Sequence, residues 1–127
     1  MVRPRLPGRG PVPPVKQMSN AELAALVEAE HPYRGRALFE LNDRITEDDD
    51  AATKVGELSR LDSVRHTRLF DRVSLAWSGI IALLAAETPH ARTAAYGAFA
   101  SLSAEEQREM LEYLECERIV DAHPHVS

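Results

Sequence analysis

From Val73 to Ala86 the chain runs fourteen residues without a charge, bounded by Arg72 and Glu87. A helix that is apolar on nearly every side must be covered by neighbours on several of them. Fourteen residues fall short of the roughly 20 that a helix needs to cross a bilayer. The run therefore predicts a buried central helix and no membrane span. Leu69, Val73, Trp77, Ile80 and Leu84 repeat at helical spacing, and Phe70 and Ile81 widen the stripe. That pattern predicts one long helix, capped at Asp62 or Ser63 and running through Ala86, as the hub of the fold, with Trp77 buried at its centre.

The segments around this hub also read as helices. Ser19 and Glu22 have the spacing of a capping box, flanked by Met18 and Leu23 as a hydrophobic staple. The helix they open carries Leu23, Leu26 and Val27 on one face and stops before His31-Pro32. A second helix over residues 34–45 aligns Leu38, Leu41 and Ile45, with Phe39 beside them. Thr46 is the expected cap of a third, with Glu47, Asp48, Asp49 and Asp50 in its first turn, where the helix dipole favours acids. Thr88-Pro89 starts an alanine-rich helix (Ala91, Ala94, Ala95, Ala98) expected to pack closely on the hub. Ser103 and Glu106 form a second capping box before Met110, Leu111 and Leu114. No segment alternates as a half-buried strand does, and no Asn-Gly or Asp-Gly hairpin turn appears.

The expected fold is all-α: a roughly six-helix bundle or a short HEAT-like stack of helical hairpins over residues 19–120. An extended arm over residues 1–18 precedes it, and a disordered tail over residues 121–127 follows. The arm holds five prolines and two glycines in its first seventeen residues, which exclude a helix or a central strand. It is expected to contribute little to folding.

Charge is divided unevenly. Arg3, Arg5, Arg9 and Lys16 give the arm a charge of +4, whereas the remainder, with eleven basic and twenty acidic residues, carries −9. The arm therefore suits an acidic surface, on a partner or on its own domain. The acidic total argues against general nucleic-acid binding. The single cysteine, Cys116, and the lack of an apolar leader in the first eighteen residues fit a reducing, cytoplasmic location.

Each candidate site has a plainer reading beside it. On the predicted long helix Arg65, Arg68 and Arg72 share one face and suit phosphates or an acidic partner, but Asp62 and Asp71 would partly neutralise a merely solvated stripe. The acids from Asp43 to Asp50 lack the spacing of a calcium loop and read as helix-start charge. Cys116, His123 and His125 offer three ligands where structural zinc takes four, so no metal is expected. Ser74 and Ser78 fall inside the apolar run without a nucleophile elbow. Cys116 lacks any activating motif, and His66 and His90 have no nucleophile paired with them. No cofactor is implied.

The leading expectation is a non-enzymatic protein-protein interaction module: an adaptor, assembly factor or inhibitor. It would meet an acidic partner surface through Arg3, Arg5, Arg9, Lys16, Arg65, Arg68 and Arg72. One alternative is a nucleic-acid-associated regulator using the same arm and the Arg65/Arg68/Arg72 face. The other is a small helical enzyme whose polar residues converge only in three dimensions, in a pocket lined by His31, His66 or His90 with an acid.

Overall fold

Side-chain caps set where most helices of this chain begin. The computed structural model describes residues 11–70 and 73–124. Within them the chain is mostly helical, as the hydrophobic periodicity predicted, with one two-stranded antiparallel hairpin. In chain order the elements are α1 (Asn20–Glu28), α2 (Arg34–Arg44), α3 (Asp49–Leu58), α4 (Asp62–Arg65), β1 (Arg68–Phe70), β2 (Val73–Ser74), α5 (Leu75–Ala86), α6 (Pro89–Ala100) and α7 (Ala104–Tyr113). Short 3-10 turns occupy Val15–Gln17, Ile45–Glu47 and Ile119–Asp121. The capping box at α1 is complete: Ser19 Oγ accepts from the Glu22 amide at 3.1 Å, and the Ser19 amide donates to Glu22 Oε1 at 2.9 Å. Thr88 caps α6 with Pro89 at its first position, and Ser103 caps α7.

Thr46 does not cap the third helix. It lies within a 3-10 turn, and Asp48 caps α3 instead, its Oδ1 accepting from the Asp50 amide at 3.0 Å. Asp48 wins because a second group holds it: Asn20 Nδ2 donates to Asp48 Oδ2 and to Asp50 Oδ2, both at 2.9 Å. The cap of α3 is thereby tied to the first residue of α1.

The predicted long helix is also broken. Residues 62–86 form α4, the hairpin and α5 rather than one helix, so Leu69 and Val73 fall on the helical period without being helical. Thr67 is the hinge: its hydroxyl donates to Ser63 O at 2.6 Å and accepts from Arg34 Nη2 at 2.6 Å, and its carbonyl accepts from the Leu75 amide at 2.8 Å. Ser74, expected inside the apolar run, is the cap of α5 and accepts from the Trp77 amide. A local polar residue at each end thus defeats the apolar pattern.

Helix α5 remains central, with Leu75, Ala76, Trp77, Ile80, Leu83 and Leu84 all buried. It packs on α2, α3 and α6. Helix α3 in turn meets α1, α2, α5 and α6, and small residues set how closely. A Cβ placed on Gly79 of α5 would stand 2.5 Å from Ser59 Oγ and 3.0 Å from Val55 Cγ1. One placed on Gly56 would stand 3.2 Å from the Cβ of Ala94 on α6.

Three helix ends close without glycine. Glu30, Glu87 and Glu115 adopt φ of 56°, 61° and 56°, the left-handed position that glycine usually fills. After α1 the His31 amide donates to Leu26 O, and after α7 the Cys116 amide donates to Leu111 O.

Both ends of the described chain are held by arginines. Arg44 Nη2 donates to Val15 O at 3.1 Å, so the last residues of the arm rest against α2. Arg92, only 9% exposed, donates to Leu84 O, to Ala122 O at 2.8 Å and to Val120 O at 3.0 Å, and its Nε donates to the Tyr96 hydroxyl. Part of the expected tail is thus clasped, with Ala122 buried.

Gly79→Ala is expected to destabilise the fold by about 1–3 kcal/mol, the usual range for overpacking a tight crossing. Urea denaturation checks this. A second expectation concerns Asp48, whose pKa is lowered first by the hydrogen bond from Asn20 and then by backbone amides and Arg44. Because the folded value lies below the unfolded one, this stabilisation is present above the ordinary aspartate pKa and is lost as pH falls through the lowered value. In Asn20→Ala, NMR titration should show Asp48 protonating at higher pH than in the parent protein.

Candidate functional site

The hairpin is a wall with two different faces, because successive strand residues point to opposite sides. Arg68 and Ser74, which are register partners, line a polar cleft. Leu69 and Val73 line an apolar groove. The groove has a volume of about 560 Å³ and lies between α2 and α5. Phe39, Asn42, Asp43 and Thr46 come from one stripe of α2 and its extension, Ile81, Ala82 and Ala85 from α5, and Tyr113 from α7.

Two large apolar side chains remain open to water here, Phe39 at 43% and Leu69 at 36% exposure. Between the apolar walls Asn42 Oδ1 is buried and accepts no hydrogen bond. No group of the protein donates to this acceptor, so its hydrogen-bonding capacity is unused within the fold. Asp43 sets a carboxylate on the rim. The groove can therefore hold an apolar segment that supplies a donor to Asn42 and a cation to Asp43.

The polar cleft, of about 340 Å³, lies on the other side of the hairpin. Trp77 is buried beside it and donates from Nε1 to Glu106 Oε2 at 3.0 Å. Glu106 Oε1 lies 3.6 Å from Arg65 Nη2. Ser103 Oγ still accepts from the Glu106 amide, but the Glu106 carboxylate is engaged with Trp77 and Arg65, in place of the predicted return bond to the cap.

The sequence-predicted site residues fare differently. Arg3, Arg5, Arg9 and Arg72 lie outside the described residues. Lys16 is 85% exposed, with Nζ 4.0 Å from Glu40 Oε1. Arg65 and Arg68 do not share a helical stripe, because α4 ends at Arg65 and Arg68 begins β1; the cleft brings them together instead. Sequence reasoning did not single out Phe39, Asn42 or Leu69 as site residues. The one legible sign was Phe39, which stood beside the predicted buried stripe of α2 rather than on it.

The described histidines each contact a neighbouring group of the protein. His66 Nδ1 donates to its own helix, at Asp62 O and 2.9 Å. Thr53 Oγ1 and His90 Nε2 lie 2.7 Å apart, but on an exposed surface. Burial, and secondarily the charge of Asp121, raise the pKa of Cys116 and keep it a thiol. His123 Nδ1 contacts Glu87 Oε1 at 2.8 Å. Among the described residues no three His, Cys, Asp or Glu side chains gather as metal ligands, and no helix is long and apolar enough to cross a membrane.

Asn42→Leu, which keeps the shape and removes the orphan acceptor, is expected to raise stability by about 1 kcal/mol. Chemical denaturation of the two proteins checks this.

The chain matches no protein-family model, no curated protein and no solved structure.

Proposed function

We propose that this protein is a non-enzymatic protein-protein interaction module, and that its groove takes an apolar segment of a partner protein. The observation that carries the reading is the buried, unpartnered Asn42 acceptor between the exposed Phe39 and Leu69. An aromatic anchor beside one unmet polar group is what a partner-binding pocket needs: area for affinity and a hydrogen bond for register. The partner segment carries apolar side chains, one donor facing Asn42 and a cationic residue facing Asp43.

In this reading the helices pack as a bundle of hairpins on short connections that serves as a platform, and the proline-rich arm is its second binding element. Arg3, Arg5, Arg9 and Lys16, together with Arg65, Arg68 and Arg72, meet an acidic surface of the same partner, and the complex forms in the cytoplasm. The nucleic-acid reading draws less support, because the chain as a whole is acidic, with a formal net charge of −5. The enzyme reading has a cleft containing His66 and glutamates, but no nucleophile bonded to that histidine.

A photo-crosslinker placed at position 39 of the full chain identifies the partner in cells, and titration of the purified partner then tests the groove. Phe39→Asp is expected to weaken binding by at least about 30-fold, the scale of a lost aromatic anchor. Asn42→Leu is expected to weaken binding while the fold becomes more stable, which separates binding from folding. A partner that binds both variants as well as the parent rules the groove out.

A further inference from the structure

The polar cleft beside the hairpin is a second concavity, with a different chemistry from the groove. Its charges are sorted by wall. Arg65, His66 and Arg68 come from α4 and β1; Glu105, Glu106 and Glu109 come from the first two turns of α7; Ser74 and Ser103 lie between.

Arg65 is under-bonded. Its Nε is buried without a partner, and its two carboxylate contacts, to Asp62 at 3.5 Å and Glu106 at 3.6 Å, are long. Charge-assisted N–H···O bonds run at about 2.7–2.9 Å, so an oxyanion entering the cleft would improve on both. On the opposite wall Glu106 is engaged with Trp77 and Arg65, which leaves Glu105 and Glu109 as the carboxylates available to an incoming cation. Ser74 and Ser103 each accept a backbone amide at their helix starts and keep a hydroxyl proton to donate.

A simple anion would meet the guanidinium groups but be repelled by Glu105 and Glu109. A simple cation would meet the reverse. A molecule carrying both charges at its ends satisfies both walls, and like-charge repulsion then excludes each half alone. We infer that the cleft is a binding site for a small zwitterion, an amino-carboxylate whose carboxylate faces Arg65 and Arg68 and whose ammonium faces Glu105 and Glu109. The site is separate from the partner groove but shares Arg65 and Arg68 with the acidic-surface contact proposed above, so zwitterion and partner would compete for them.

Trp77 is the only tryptophan in the chain, and its Nε1–H lies at this cleft on Glu106, so its single indole NMR resonance reports occupancy. The probes are glycine, β-alanine, 4-aminobutyrate, 6-aminohexanoate and the dipeptide Ala-Ala, which together vary the charge separation. N-acetyl-Ala-Ala lacks the cation and Ala-Ala amide lacks the carboxylate. At least one zwitterion is expected to shift the Trp77 indole resonance saturably, and both blocked dipeptides to leave it unmoved. Arg65→Gln and the exposed-site variant Glu105→Gln should each weaken that binding about tenfold. If Arg65→Gln fails to fold, Arg68→Gln replaces it with the same expectation. The inference is overturned if no zwitterion shifts the resonance. It is equally overturned if a blocked dipeptide shifts it as strongly as the zwitterion, or if the glutamine variants bind unchanged.

Discussion

Helix α3 meets four helices, two of them across glycines, and the rest of the structure depends on how closely it approaches those two. Against α5 the distance is set by Gly79, whose missing side chain leaves room for Ser59 and Val55. Against α6 it is set by Gly56, opposite Ala94. Where small residues let backbones approach, the neighbouring larger side chains interdigitate at interior density. Ser59 can sit fully buried at this crossing because its hydroxyl donates to Val55 O at 2.8 Å, within its own helix. With α3 fixed, α1 and α2 follow, through the Asn20 bonds to Asp48 and Asp50 on one side and direct helix packing on the other.

The hairpin divides the chemistry of the surface. Had residues 62–86 formed one helix, Arg65, Arg68, Leu69 and Val73 would have shared one side of it, with arginine and apolar side chains mixed. As strands, they separate into a polar face and an apolar face within a few residues. The aromatic pair beneath them spans the two sides: Trp77, beside the cleft, lies 5.8 Å from Tyr113, which lines the groove. Both concavities therefore share this aromatic pair as part of their lining.

Arginines perform opposite tasks at different places. Arg92 and Arg44 each donate to backbone carbonyls and to side chains and so hold chain segments in place, work suited to a planar fork of donors. Arg65 is left with a buried donor unmet, and Asn42 with a buried acceptor unmet. Buried polar groups are ordinarily satisfied. These two residues line the two concavities.

Much of the helical content was legible in the residues themselves. The Ser19 box, the Thr88-Pro89 start and the burial of the Val73–Ala86 segment depend on local hydrogen bonding and on apolar area, and both are written in short stretches of chain. Helix ends were less legible, because Glu30, Glu87 and Glu115 occupy positions that a glycine would have announced. The break at Thr67 was not legible at all, since it depends on Arg34, thirty-three residues earlier, reaching its hydroxyl. The groove was hidden for a related reason. An apolar residue on a helix looks the same whether another element covers it or not, and only the tertiary packing decided that Phe39 stays exposed while Leu38 and Leu41 are buried. Local sequence determined where the chain could coil and what must leave water; the meeting of distant side chains determined which polar groups found partners and which did not.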